Sequence, residues 1–93
     1  MANKTEGVRV LVQDILRTIH EPYSADIIQD VCSKIEKNSE WLRRYKELGE
    51  ELRPWVVNNW IGKHVKDLTG MKSVRQVPAK EVKIITSYTK LSR

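Results

Sequence analysis

The spacing of apolar residues changes once along the chain, at Gly70, and this change most limits the folds that the chain can adopt. Before Gly70, apolar residues recur every three or four positions, which places them on one side of an α-helix. After it, the segment Val82–Tyr88 alternates with period two and is rich in β-branched residues, as in a strand with one buried face. The pattern therefore predicts a mainly α-helical chain that ends in a β-hairpin.

Four segments have the helical spacing, and local signals mark their ends. The predicted helices are Val8–His20, Ala25–Glu36, Glu40–Leu48 and Pro54–Thr69. The first ends before Pro22, because the residue that precedes a proline avoids helical geometry, and Ser24 is placed to cap the second. Pro54 suits a first helical position, whereas Gly49 and Gly70 are expected to end the third and fourth helices.

The predicted hairpin has one strand near Val74–Val77, a loop at Pro78–Lys80 and a second strand over Val82–Tyr88. A chain of 93 residues has room for one domain with one modest core, and residues 1–6 and 90–93 are expected to be flexible. No segment approaches the ~20 apolar residues of a membrane span. The start of the chain also lacks the apolar run of a signal peptide, so we expect an intracellular protein without a membrane partner.

The positive charge of the chain is concentrated in its last third. Residues 1–62 contain nine Lys and Arg against ten Asp and Glu, whereas residues 63–93 contain eight against two, and the formal net charge is +5. A basic end of this kind attracts polyanions such as DNA, RNA or an acidic membrane surface. The alternative is that the basic surface only keeps a small protein soluble.

The order of the elements resembles that of the winged helix (winged helix-turn-helix) domain, in which three or four helices precede a two-stranded wing. Val10–Ile27 is similar to the first helix, short turn and capped second helix that open many such domains. Val57–Leu68, with Gly70 and the hairpin, is similar to a recognition helix that leads into the wing. Lys37–Arg53 departs from the pattern, because a turn of ~3–4 residues is usual there, and we expect an extra helix in this insertion.

The resemblance implies a DNA-binding module whose helix Pro54–Thr69 enters the major groove while the basic hairpin contacts phosphates. The polar side of this helix and the residue before it supply the candidates Arg53, Trp55, Asn58, Asn59, Lys63 and Lys66. The hairpin supplies Lys72, Arg75, Lys80 and Lys83. An asparagine can pair with adenine, and a lysine can contact guanine or phosphate. The alternative is an ordinary solvated helix face and a lysine-protected edge strand.

Several single residues allow more than one interpretation. Trp55 can stack on a base, contact a partner or fold back over the core, and we expect it to be partly buried. Trp41 and Trp60 fit apolar stripes and are expected in the core. Gly62 indicates either tight packing against the third helix or the close approach of a ligand.

Catalysis finds little support in the sequence. His20 and His64 lack the spacing of metal ligands, Cys32 is alone and expected in the core, and there is no glycine-rich phosphate loop. We therefore expect no enzyme, no cofactor and no metal. The rival function is a protein-interaction module that docks through residues 37–53, with Trp41 and Tyr45 on its surface. RNA is a third alternative, although no strand interleaves basic and aromatic residues.

Overall fold

The computed structural model describes residues 5–93 and contains four helices followed by a two-stranded antiparallel sheet. The elements are α1 (Glu6–Leu16), α2 (Ile27–Lys37), α3 (Ser39–Leu52), α4 (Pro54–Thr69), β1 (Lys72–Pro78) and β2 (Ser87–Ser92). The mainly helical fold with a C-terminal hairpin is therefore confirmed. Residues 1–6 were expected to be flexible. Residues 1–4 lie outside the described residues, and Glu6 is the first residue of α1.

The four helices and the sheet share one hydrophobic core, because each helix has one apolar side. The largest fully buried side chains in the helices are Val8, Leu11, Val12, Ile15, Ile27, Val31, Ile35, Val57, Ile61 and Val65. From α3 only Tyr45 is buried, while Trp41, Leu42, Leu48 and Leu52 are half-buried against the core. α1, α2 and α4 therefore form the centre of the fold, and α3 covers one edge of it.

α1 is shorter than predicted at its C-terminal end. The helix ends at Leu16, whereas Pro22 had suggested an end at His20. The Thr18 hydroxyl donates to the Ile15 carbonyl at 2.7 Å, and the Thr18 N–H bonds to the same carbonyl, three residues back. These short-range bonds replace the regular helical bonds, so the chain leaves the helix before the proline is reached.

α2 begins two residues later than predicted, at Ile27 instead of Ala25. The Ser24 hydroxyl, which was expected to cap a helix that starts at Ala25, accepts the N–H of Asp26 at 3.1 Å. This bond closes a turn before the helix, and Asp26 is then the residue that precedes α2.

α3 and α4 follow each other with only Arg53 between them. The prediction that Gly49 ends α3 is wrong, because the helix continues to Leu52. The Gly49 carbonyl accepts the N–H of Arg53 at 2.9 Å. The direction of the chain changes at Arg53, whose φ of 84° is a backbone conformation that residues other than glycine rarely adopt. α4 begins at Pro54 and is capped by Gly70 in the left-handed conformation, both as predicted.

The second strand of the sheet is displaced from its predicted position. β2 covers Ser87–Ser92, so the prediction of a strand over residues 82–86 is wrong, and residues 79–86 form the connection. Residues 90–93 were expected to be flexible; among them, Leu91 is 1% exposed and donates its N–H to the Ala25 carbonyl at 3.0 Å. Lys72 pairs with Ser92 at the open end of the ladder. β2 thus lies against the helices, and β1 is the exposed edge of the sheet.

The connection between the strands packs along α2 instead of projecting into solvent. The N–H groups of Lys80 and Lys83 donate to the side chains of Gln29 and Glu36, each at 2.6 Å. Val82 is buried in the core. The alternating pattern that suggested a strand therefore reflects apolar side chains of an irregular segment that is fixed to a helix.

Candidate functional site

The polar side of α4 and the sheet form the two walls of a cleft of about 370 Å³. α4 contributes Trp55, Asn58, Asn59, Gly62, Lys63 and Lys66, and the sheet contributes Ser73, Gln76, Ser87, Tyr88 and Thr89. Lys63 and Lys66 are the only charged side chains in the lining that is formed by residues 5–93. Helix residues that the sequence singled out for nucleic-acid contact therefore lie in one concave site with the hairpin.

The helical repeat of α4 explains why these side chains share one wall. Asn59, Lys63 and Lys66 are spaced by four and three residues, so they project from the same side of the helix. Gly62 lies between them, and a Cβ added there would meet Ile28 of α2 at 3.8 Å. The expectation of tight packing against the third helix is therefore wrong, since the nearest neighbour belongs to α2 and the contact is an ordinary one.

Asn58 has a role inside the fold. Its Oδ1 accepts the Tyr45 hydroxyl at 2.7 Å, and its Nδ2 donates to the Ile84 carbonyl at 2.9 Å. Both ends of the amide are thus engaged, and the side chain joins α3, α4 and the connection between the strands. Asn59 is exposed and makes no side-chain hydrogen bond with residues 5–93. Of the two predicted asparagines, only Asn59 has an amide that is free to face a ligand.

The tryptophans of α4 differ in their surroundings. Trp55, in the first turn of α4, is 65% exposed and lines the cleft, so the expectation of partial burial is wrong. Trp60 is half-buried, and its ring stacks on that of His64 with 5.3 Å between the centroids. The Nζ of Lys63 lies 4.7 Å from the centre of the Trp60 ring, a cation–π contact with a residue that does not itself line the cleft.

The four basic residues that were predicted on the hairpin lie outside the cleft lining. Lys72 and Arg75 are exposed on β1, next in sequence to the lining residues Ser73 and Gln76. Lys80 and Lys83 are exposed on the connection that runs along α2. Arg53 is exposed at the start of α4. The structure thus brings Lys63 and Lys66 together with β1, and it places Lys80 and Lys83 on a different element.

The polar residues of the strands were missed by the sequence reasoning. Gln76 donates through Nε2 to the Ser87 hydroxyl at 2.8 Å, and it accepts the Thr89 hydroxyl at 3.0 Å. These neutral side chains form a connected row on the sheet wall of the cleft. Charge does not mark them in the sequence, and only the correct strand register places Gln76 opposite Thr89.

The ion pairs that residues 5–93 form with one another lie outside the cleft lining. Arg43 pairs with Glu40 and Glu47 on α3, and Arg44 pairs with Asp14 at 2.9 Å. Asp67, the acidic residue of α4, is bound by Arg9 at 2.7 Å, and this contact lowers the pKa of its carboxyl. In contrast, Lys63 and Lys66 form no ion pair within residues 5–93. Their charge is therefore available to a ligand in the cleft.

Cys32 and His64 are both buried. Burial, with Glu36 adding to it, raises the pKa of the Cys32 thiol to about 12, so this residue is the core side chain that the sequence predicted. His64 is 8% exposed, and burial lowers its pKa. Within residues 5–93 no cluster of His, Cys, Asp and Glu is suited to hold a metal ion. In the same part of the chain, every helix is too short or too polar to cross a lipid bilayer.

The surface that was considered for a protein partner lies on α3. Tyr45 was expected on this surface, but it is buried and bonded to Asn58 and therefore cannot contact a partner. Trp41 is half-buried. A shallow groove between α1 and α3 is lined by Gly7, Val10, Arg44, Glu47, Leu48 and Glu51. Docking through residues 37–53 stays a prediction, without Tyr45 as a contact.

Comparison of the chain with protein-family models, with curated proteins and with solved structures gave no match. The winged helix resemblance stays a prediction that rests on the order of the elements, four helices followed by a hairpin.

Proposed function

We propose that this chain is a non-enzymatic nucleic-acid-binding module that binds its ligand in the cleft between α4 and the sheet. The observation that carries the proposal is the pair Lys63 and Lys66, which lie in a cleft without an acidic side chain in its described lining. A polyanion with regularly spaced phosphates is the class of ligand that such a site attracts. The amide of Asn59 adds a group that can bond to a base edge.

The surroundings of the cleft extend the same charge. Lys72 and Arg75 are exposed on β1, the strand whose Ser73 and Gln76 line the cleft. Neighbouring side chains of a strand point to opposite faces, so a ligand strand would meet these two cations only after it has crossed the edge of β1 to its other face. Binding is therefore expected to weaken steeply with salt, because each phosphate contact releases a condensed counterion.

The test is a titration of labelled DNA and RNA oligonucleotides at about 50 and 200 mM salt, where phosphate contacts are strongly salt-dependent. The double variant Lys63→Glu/Lys66→Glu is expected to bind at least about tenfold more weakly at the lower salt, and the slope of log affinity against log salt should fall by about 2. Thermal unfolding of the variant checks that the fold is retained, since both side chains project from the polar side of α4.

The matched control is Lys37→Glu/Lys46→Glu, which changes the net charge equally at exposed lysines of α2 and α3 outside the cleft. Its affinity should stay within about threefold of the parent, because neither lysine lines the cleft and salt screens exposed charges that do not contact the ligand. The proposal is wrong if no oligonucleotide binds at low salt, if affinity is indifferent to salt, or if the control loses as much affinity as the cleft variant.

A further inference from the structure

The polar side of α4 faces into a concavity. A helix that reads duplex DNA projects from its protein into a major groove about 12 Å wide. Here the sheet stands beside α4, and Ser73, Gln76 and Thr89 of the strands line the same cleft as Lys63 and Lys66. A cleft of about 370 Å³ has the size of a small-ligand pocket, roughly 300–1,000 Å³. This volume suits a small group such as an unpaired base.

Trp55 adds an aromatic surface at this cleft. It is 65% exposed, although tryptophan is highly buried on average in folded proteins. Pro54 precedes it and, with Arg53, fixes the start of α4 directly after α3, so the ring is carried by a defined backbone and not by a free loop. An exposed indole beside cations is the arrangement on which bases stack in sites for single strands.

The remaining lining suits the edges of unstacked bases. Asn59 offers an amide without a partner in residues 5–93. Gln76 and Thr89 on the opposite wall are bonded to each other, and they keep only the hydrogen-bonding capacity that amides and hydroxyls have beyond one bond. Bases in a duplex have their Watson–Crick edges engaged with each other, whereas bases of a single strand present these edges to a protein. The lining thus combines a stacking surface, two cations and neutral hydrogen-bonding groups.

We infer that the cleft is selective for single-stranded nucleic acid, with a base stacked on Trp55 and phosphates further along the strand held by Lys63 and Lys66, which lie about two to three helical turns away on the same side of α4. This inference rests on the proposed function and names its substrate class. Discrimination against duplex comes from stacking, since the faces of a base inside a duplex are covered by its neighbours and are not free to stack on the exposed Trp55 ring. Stacking tolerates every base, so the preference for single strands should depend little on sequence.

The experiment compares one sequence as single-stranded DNA, single-stranded RNA and duplex DNA, with fluorescence anisotropy as the readout. The single strands are expected to bind at least about tenfold more tightly than the duplex, in line with the contribution of a stacked base. Trp55→Ala should lower single-strand affinity about tenfold and leave duplex affinity unchanged, while Trp55→Phe should keep most of the affinity because a ring remains.

Several outcomes would overturn the inference and separate it from the proposed function. If duplex binds as tightly as single strands, or if Trp55→Ala affects neither ligand, the inference is wrong. If these results occur while Lys63→Glu/Lys66→Glu still abolishes binding, the proposed function stands and only the substrate class fails. If no oligonucleotide binds the parent chain, both fail. Trp55 is exposed, so its variants should have the same midpoint of thermal unfolding as the parent. If Trp55→Phe binds as weakly as Trp55→Ala, stacking on this ring is contradicted.

Discussion

The two sides of α4 have different surroundings. Side chains on one side stabilise the fold, and side chains on the other side can contact a ligand. One side, with Val57, Ile61 and Val65, is fully buried and packs against the other helices. The other side, with Asn59 and Lys63, lines the cleft. A single helix thus serves as a central core element and as one wall of the candidate site.

The difference between the two sides concerns what a side chain contributes to stability. On the buried side, each side chain removes apolar surface from water and fills space, so its loss costs free energy of unfolding. On the cleft side, Asn59 and Lys66 have no hydrogen bond or ion pair through their side chains within residues 5–93. Substitutions on the two sides should therefore separate stability from binding.

The strongest test of the buried side is Ile61→Ala. Ile61 is fully buried, and its truncation leaves a cavity in the core, so we expect a loss of about 2–5 kcal/mol in the free energy of unfolding. Urea denaturation measures this change. The control Lys66→Ala, one helical turn further on the cleft wall, should stay within about 0.5 kcal/mol of the parent. An equal loss in both variants would show that the cleft wall is part of the packed core.

Asn58→Ala gives the next largest effect, and it tests which of two adjacent asparagines belongs to the fold. The variant leaves the Tyr45 hydroxyl and the Ile84 carbonyl without a partner, so we expect a loss of about 2 kcal/mol in the free energy of unfolding.

Asn59→Ala is the matched control for Asn58→Ala. It should unfold like the parent and bind single-stranded oligonucleotides more weakly, because its amide faces the cleft. If Asn58→Ala is neutral in urea denaturation, the bridge from α3 to the connection between the strands does not contribute to stability.

The two asparagines also show how far the sequence predicts the site. The helical repeat places Val57 and Ile61 inside and Lys63 outside, and the sequence predicted each of these positions correctly. Asn58 lies at the border between the two sides, where periodicity alone does not decide. Its role depends on Tyr45 of α3 and on Ile84, which is 26 residues away in the chain. Local patterns do not contain such partners.

The same reason explains why the helices were predicted better than the sheet. The ends of α4 follow from Pro54 and Gly70, which act through local backbone geometry. The position of β2 instead depends on contacts between Leu91 and Ala25, and on the connection that is bonded to Gln29. The residues in these contacts are separated by more than half of the chain, so local sequence does not reveal them. An alternating apolar pattern also does not distinguish a strand from a buried irregular segment.

Arg53→Gly is expected to stabilise the protein. Arg53 has a φ of 84°, and holding a non-glycine residue in such a region costs about 1–3 kcal/mol, part of which is offset by the larger freedom of glycine in the unfolded chain. We expect a net gain of about 1 kcal/mol, measured as a higher midpoint of thermal unfolding.

Arg53→Ala separates the backbone from the charge, because alanine loses the guanidinium and keeps the strain. It should not be more stable than the parent, and both variants should lose the same contribution of this cation to binding. If Arg53→Ala is more stable than the parent, or if Arg53→Gly is not, the backbone conformation of Arg53 does not lower the stability of the protein.

The smallest predicted effect is a pH dependence from His64 on the buried side of α4. Burial is the main cause that lowers the pKa of His64, and the guanidinium of Arg9 adds to it. A hydrogen bond with the Thr5 backbone acts in the opposite direction, as do Asp67 and Glu6. The neutral imidazole is therefore favoured in the folded state. Above the unfolded pKa of about 6.5, both states are neutral and the full stability is present. Below it, the unfolded state takes up the proton first, so stability falls as the pH falls.

We expect the free energy of unfolding to fall between about pH 7 and 5, a window that begins at the unfolded pKa of histidine. Urea denaturation at several pH values measures this slope. His64→Leu should remove it, because leucine does not titrate, whereas His20→Gln should keep it, since His20 is exposed. Asp67, whose pKa is lowered by Arg9, acts only in a more acidic range. A slope that survives His64→Leu would assign the titration to another group and leave the buried side of α4 without a pH-sensitive residue.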